Sequence, residues 1–357
     1  MKERYKLHNI VFYFMVMIFT AFIVIISLQM GFENDFPTHT AWAADVASGK
    51  APPFLNLFHD LTAFFIKITG AGKIAQRVSA IMSTCILEFC FILAVHYWLN
   101  RKLPKNTTDG VKLFSLTVIT FAITPFYIPF IFNYLSQRFF HTTPDFFPQI
   151  TTWHNPTSFA VKPFFIISFF LIIECIASAE KAKKDQKTVR IIKWNVGYSQ
   201  IIYISLALAL LVSCWGKIAG FQVLAPAATV LLAIRFFLSK FSLKKLWGYL
   251  LIGITFIPSL IYFFFSLSNY FPGTDQESVS GIEFIGFSIL LSNQIFAIIL
   301  TNLWLLILPI YVTIICWDHV KKSIIFGLSW LTYFFSFVSN YMFRETGSRA
   351  ADGNNSW

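Results

Sequence analysis

Charge is scarce in this chain: 13% of its 357 residues are Asp, Glu, Lys or Arg, against about 25% in a soluble protein. That shortage excludes an ordinary water-soluble domain. Cysteine pairs are missing too. Cys85, Cys90, Cys175, Cys214 and Cys316 stand alone in apolar stretches, so neither a disulfide framework nor a Cys/His zinc site is predicted, and each reads as a small apolar side chain. No phosphate loop, dinucleotide fingerprint, H-E-x-x-H or G-x-S-x-G occurs, which removes the common soluble nucleotide-binding, zinc-protease and serine-hydrolase readings. A soluble basic patch interleaved with aromatics is also lacking, and nucleic acid is excluded as a partner. What remains is apolar: 56% hydrophobic residues, 43 of them Phe, and a mean hydropathy of +0.65.

Apolar runs of roughly 18 or more residues mark spanning helices. About nine are predicted (the counting allows about 8 to 11), near 9–30, 78–99, 113–135, 158–178, 197–215, 220–239, 246–267, 292–316 and 323–342. The fold class is therefore an all-α integral membrane protein, a single polytopic domain over 1–357. The first run follows Met-Lys-Glu-Arg-Tyr-Lys, has no A-x-A cleavage pattern, and reads as an uncleaved signal-anchor. Pro125, Pro129, Pro258 and Pro309 are expected to kink their helices, which membrane helices tolerate. The stretch 54–68, broken by His59, Asp60 and Lys67, reads as an interfacial helix in the first outer loop. Gly281–Leu291 is predicted as another.

Basic residues give the direction. With the N-terminus inside, segments 2–8, 100–112, 180–193, 240–245 and 318–322 are cytoplasmic, and they hold most of the 28 Lys and Arg. This alternation obeys the positive-inside rule. It predicts a bacterial cytoplasmic (inner) membrane protein with an extracytoplasmic C-terminus. The net charge of +11 is then a cytoplasmic feature facing lipid headgroups, and membrane lipids are its standing partners.

Three outer segments carry the unusual chemistry. The first extracytoplasmic loop, 31–77, holds Glu33, Asp35, His39, Asp45 and His59-Asp60. The second, 136–157, holds Arg138, His141, Asp145 and Trp153-His154-Asn155-Pro156. The C-terminal tail, 344–357, holds Glu345 and Arg349. A carboxylate at a membrane surface can deprotonate an acceptor hydroxyl as general base. Arg and His at that depth can neutralise a phosphate leaving group, and Trp can stack on a sugar. Each has a plainer reading beside it. Asp35 can cap a helix. His39, one turn on, shares its face if the loop is helical and is a supporting group as readily as a ligand. Asp45 and His59-Asp60 read as solvated face. Trp153 serves as an interfacial anchor, Asn155-Pro156 is turn chemistry, and Arg138 and Arg349 can contact headgroups. His154 has no structural reading as simple, so a pocket role is favoured. Inside the membrane Glu88 and Glu174 are costly, with Lys162 or Arg235 as the available counter-charges. No broken-helix repeat accompanies them.

Glu33-Asn-Asp35-Phe-Pro-Thr-His39…Gly49-Lys-Ala-Pro52-Pro53, after one span and a short basic N-terminus, resembles the first outer loop of the GT-C superfamily of membrane glycosyltransferases. The Trp153–Thr157 opening and the Glu345…Arg349…Asp352 tail resemble polytopic proteins of envelope polysaccharide assembly. The resemblance implies a polyprenyl-phosphate-linked sugar donor, a glycan or lipid acceptor, and Asp35 as catalytic base or metal-supporting acid, with Glu33 as competitor. His39 would support them. Arg138, Trp153, His154, Asn155, Glu345 and Arg349 would bind substrate, and a divalent cation (Mg or Mn) would be the cofactor if one is used. Two other function classes stay open: a multi-pass transporter or lipid-linked glycan flippase using Glu88 and Glu174, and a non-catalytic scaffold of polysaccharide assembly.

Overall fold

The computed structural model describes residues 2–29, 35–103, 107–112, 115–116, 156–180, 188–191, 194–270, 282–284, 306–307 and 309–345. These are predominantly helical. Among the described residues six helical stretches are long and apolar enough to cross a membrane: Asn9–Gln29, Lys73–Lys102, Thr157–Glu180, Ser199–Gly216, Ile218–Leu238 and Leu243–Ser266, the last interrupted by a two-residue turn. The chain is thus a multi-pass membrane protein. The predicted spans 113–135 and 292–316 fall mostly outside the described residues, and the last corresponds to the shorter apolar helix Ile324–Ser339.

The chain divides into two compact units. The first comprises Met1–Pro125, Thr151–Phe170 and Leu208–Gly220. It contains α1 (Lys2–Gln29), α2 (Phe36–Ser48), α3 (Leu57–Thr69) and α4 (Lys73–Lys102), together with the start of α5 (Thr157–Glu180) and the end of α6 (Tyr198–Gly216). Its short helices have legible boundaries. Pro37 stands in the first turn of α2, and Gly49 ends that helix at φ 77°, its N–H reaching the carbonyls of Asp45 and Val46. That left-handed cap favours glycine. Asn56 caps α3 by accepting from the Phe58 N–H at 2.9 Å, and Gly70, at φ 107°, ends it. Gly72 then starts α4.

Two cores hold this unit. Val16 of α1, Phe91, Ile92 and Val95 of α4, and Leu116 are buried together, with Phe12, Tyr13 and Ile166 around them. Tyr13 also hydrogen-bonds His96 across the same pair of helices. The second core is aromatic: Phe36 packs edge-on against Phe58 (6.1 Å between centroids) and against Phe159 at 6.2 Å. All three are fully buried. They fasten the α2–α3 pair to the start of α5.

The second unit comprises Phe126–Ile150, Leu171–Ala207 and Phe221–Trp357. It holds the remainders of α5 and α6, β1 (Thr188–Ile191), β2 (Trp194–Gly197), α7 (Ile218–Leu238), α8 (Leu243–Ile254), α9 (Ile257–Tyr270), β3 (Ile282–Phe284), α10 (Trp317–Val320), α11 (Ile324–Met342) and β4 (Phe343–Glu345). Its clearest polar lock joins the ends of α5 and α7 to the middle of α8. Arg235 grips Glu180 through Nε and Nη2, at 2.5 and 2.6 Å, and the Tyr249 hydroxyl donates to the same carboxylate at 2.8 Å. The kink predicted at Pro258 is a two-residue turn within the span Leu243–Ser266: α8 stops at Ile254 and α9 starts at Ile257, placing the proline in a first turn.

One expectation is corrected here. Ile282–Phe284, expected in an interfacial helix over Gly281–Leu291, is a strand paired antiparallel with β4, setting Glu283 opposite Arg344. The paired backbone satisfies its polar groups across the ladder, an option periodicity alone does not reveal. Elsewhere in this unit β1 pairs antiparallel with β2, with Val189 opposite Val196.

Candidate functional site on the first loop

The buried faces of α2 and α3 explain the site. On α2 the buried positions are Phe36, His39, Thr40 and Ala43; on α3 they are Phe58, His59, Thr62, Ala63 and Ile66. Both follow helical spacing, so packing the two apolar stripes brings one histidine from each helix into the seam. His39 Nδ1 and His59 Nε2 lie 2.7 Å apart. One ring donates and the other accepts. Trp42, a turn beyond His39, sets its edge against both imidazoles, with centroids 4.9 and 5.6 Å away. Its indole remains 44% exposed, so the pair sits just beneath the surface of the hairpin.

Burial lowers the pKa of His59 to about 4. At neutral pH this ring is therefore uncharged, and His59 enters its hydrogen bond with His39 as a neutral imidazole. Asp35 sits at the entrance. It is half-buried at the N-terminus of α2, its carbonyl accepts the His39 N–H at 2.9 Å, and its side chain makes no capping bond. One turn of helix separates its carboxylate from the His39 ring, a spacing that puts both on one face.

Asp60, next to His59, anchors the platform. Its carboxylate accepts from the Phe54 N–H at 3.0 Å and from the Trp215 indole N–H at 2.9 Å. Partial burial nevertheless raises its pKa above the ordinary value, outweighing those bonds and one from Asn56. Phe54 adopts φ 66°, a strained left-handed conformation for a bulky residue, and Asp60 holds it there. Asn56 adds a second tie, donating from Nδ2 to the Gly216 carbonyl at 3.0 Å. The hairpin is thus bolted to the end of α6 as well as to the start of α5. Beneath it, Lys162 of α5 pairs with Glu88 of α4 at 3.9 Å; both are buried, and the ammonium sits 4.6 Å from the Phe159 ring centre.

Among the predicted site residues, Asp35 and His39 stand one helical turn apart, the His39 N–H donating to the Asp35 carbonyl. Glu33, Arg138, Trp153, His154, Asn155 and Arg349 lie outside the described residues. Glu345 has its backbone in β4, in the second unit. His59-Asp60, read from sequence as solvated face, are a correction: His59 is 6% exposed and Asp60 is bonded across to α6. The stripe Phe58, Thr62, Ala63, Ile66 around His59 carried that signal. Nothing local announced Trp215, 155 residues away. Lys162, one of two suggested counter-charges for Glu88, is its partner, while Arg235 pairs with Glu180 instead. Among the described residues no three His, Cys, Asp or Glu side chains converge to hold a metal ion. These residues do not form a magnesium or manganese site on their own. No family model matches the chain, and no curated protein or solved structure is similar to it.

Proposed function

We propose that this protein is a GT-C-like membrane glycosyltransferase, moving a sugar from a polyprenyl-phosphate donor to an envelope glycan or lipid acceptor at the outer face of the bacterial cytoplasmic membrane. The observation that carries the reading is the Asp35–His39–His59 arrangement on a helical hairpin following the first span, roofed by a half-exposed indole. Asp35 takes the proton of the acceptor hydroxyl as its oxygen bonds to the anomeric carbon. The sugar–phosphate C–O bond breaks, and the lipid phosphate departs with the electron pair. His39, oriented by neutral His59, fixes the acceptor beside the carboxylate, and the Trp42 indole offers a stacking surface for a sugar. Arg138, His154 and Arg349 would cradle the phosphate.

The topology belongs to the same proposal: about nine spans, N-terminus inside and C-terminus outside. Contacts within the first unit support it. The loop between α1 and α4 touches the start of α5 and the end of α6, so these four helix ends share one side of the membrane. α4 leaves that side, and α5 starts on it again, which supports the crossing read at 113–135. In the second unit Glu180, Arg235 and Tyr249 bring the ends of α5 and α7 against α8, and the α5 and α7 ends adjoin basic segments assigned to the cytoplasm.

The test is Asp35→Asn in proteoliposomes supplied with a polyprenyl-phosphate sugar and crude acceptor lipid. Loss of a general base costs roughly 10²- to 10⁴-fold in rate. Undiminished transfer by Asp35→Asn, with Glu33 intact, would sink the assignment. A second reading, transport or flipping, is favoured by the buried Glu88–Lys162 pair, because ionisable groups inside a bilayer mark pathways. There Glu88→Gln stops translocation while Asp35→Asn does not.

A further inference from the structure

The elbow joining α3 to α4 carries a surface the proposed reaction does not use. On α3 the exposed side chains near its end are Phe64, Lys67 and Ile68, at helical spacing; on the first turns of α4 they are Lys73, Ile74, Arg77 and Val78. Ile74 is 81% exposed and Ile68 65%. The elbow is short and stiffly built. Thr69 Oγ1 and Ser79 Oγ are 3.0 Å apart, and Gln76 Nε2 donates to the Ala71 carbonyl at 2.9 Å. The Thr69–Ser79 contact ties the end of α3 to the second turn of α4, so the exposed residues of both helices flank one elbow. From Leu61 through Leu87 the sequence has no acidic residue, so nothing along this stretch neutralises Lys67, Lys73 and Arg77.

We infer that this elbow is a docking surface for an anionic glycerophospholipid, with Lys67, Lys73 and Arg77 meeting the headgroup phosphate and Phe64, Ile68, Ile74 and Val78 lying along its acyl chains. Charge complementarity selects the sign of the partner, since three cations close to a membrane surface attract anionic lipid. The exposed apolar residues select a lipid over a free anion, because a soluble phosphate gains nothing from four uncovered hydrocarbon side chains. The placement at a helix end suits cations that snorkel to headgroup depth while their stems lie in hydrocarbon. In the proposed orientation these cations stand on the side that short loops keep poor in Lys and Arg, so they are retained there against the usual bias. The inference does not rest on the enzyme reading, as it concerns lipid affinity and not turnover.

The experiment is native mass spectrometry of the full chain in detergent, titrated with phosphatidylglycerol or with phosphatidylcholine of the same chain length. Wild type should retain a phosphatidylglycerol that phosphatidylcholine does not displace. Lys67→Gln/Lys73→Gln/Arg77→Gln should weaken that step by on the order of 100-fold, at roughly fivefold for each cation. Lys181→Gln/Lys183→Gln/Lys184→Gln, with the same charge change elsewhere, should leave it unaltered. Should the elbow variant fail to fold, wild type in 0.5 M salt reports instead, since screening weakens the selective step. Equal retention of both lipids by wild type overturns the inference. So does displacement of phosphatidylglycerol by glycerol phosphate at equal concentration, which would make the site one for free anions.

Discussion

Replacing Glu88 by Gln should destabilise the protein by about 3–5 kcal/mol, and Lys162→Met by a similar amount. At the observed 3.9 Å, an effective dielectric near 20 gives an attraction of about 4 kcal/mol. That is comparable with the cost of taking both ions out of water, so the pair as a whole adds little net stability. Removing one partner is different, because it leaves the other buried charge uncompensated: without Glu88 the Lys162 ammonium stays beside Phe159 and Phe91, and without Lys162 the Glu88 carboxylate stays buried. The double variant Glu88→Leu/Lys162→Met should therefore recover to within about 1–2 kcal/mol of wild type, and the coupling in the cycle should be about 3 kcal/mol or more. Reversible unfolding in mixed micelles, followed by far-UV circular dichroism as SDS is raised, measures all four corners. Additive single effects, or singles each below about 1 kcal/mol, would refute the argument by showing that water or lipid headgroups reach the pair.

The hairpin should titrate. His59 has a folded pKa near 4, below the ordinary 6.5, so the unfolded chain binds the extra proton first; stability is complete above pH 6.5 and falls by up to ~3 kcal/mol as pH drops to 4. His59→Gln should remove most of that slope in unfolding curves taken between pH 7 and 4.5. Asp60→Ala should release Phe54 and cost about 1–3 kcal/mol, seen as faster chymotryptic cleavage after Phe54, whereas Trp215→Phe should produce a smaller change of the same sign. Gly216→Ala would put a methyl 2.8 Å from the Ala160 carbonyl oxygen and should cost about 1–3 kcal/mol; Gly253→Ala, with open space around it, should be neutral or stabilising in the same melt.

Long apolar runs made the helical membrane architecture legible, because the bilayer forces backbone groups to pair within a segment and so ties length to span. The helical hairpin was half legible. Its start and stop signals were in plain view at Pro37, Gly49, Asn56 and Gly70. Reading Glu283 and Arg344 as part of one ribbon was out of reach, since strand pairing across 61 residues leaves no local period.

The chemistry was legible residue by residue and not as an arrangement. Asp35 and His39 sit one turn apart in sequence, so helix geometry alone relates them. His59 needed the knowledge that α2 and α3 face each other, and Asp60 needed Trp215. What fixes the Asp35 position is the residue beside it: Phe36, fully buried against Phe58 and Phe159. Phe159 in turn lies against Lys162, which Glu88 holds. The intramembrane ion pair thus stands two aromatic contacts from the proposed base. If the aromatic core holds the entrance of α2, Phe36→Ala should lower transfer as Asp35→Asn does, though the carboxylate remains. It should also lower stability by about 3–5 kcal/mol. Conservative repacking to Leu should restore both together. Recovery of stability without recovery of transfer would mean that the ring at position 36 is needed for something other than holding Asp35 in place.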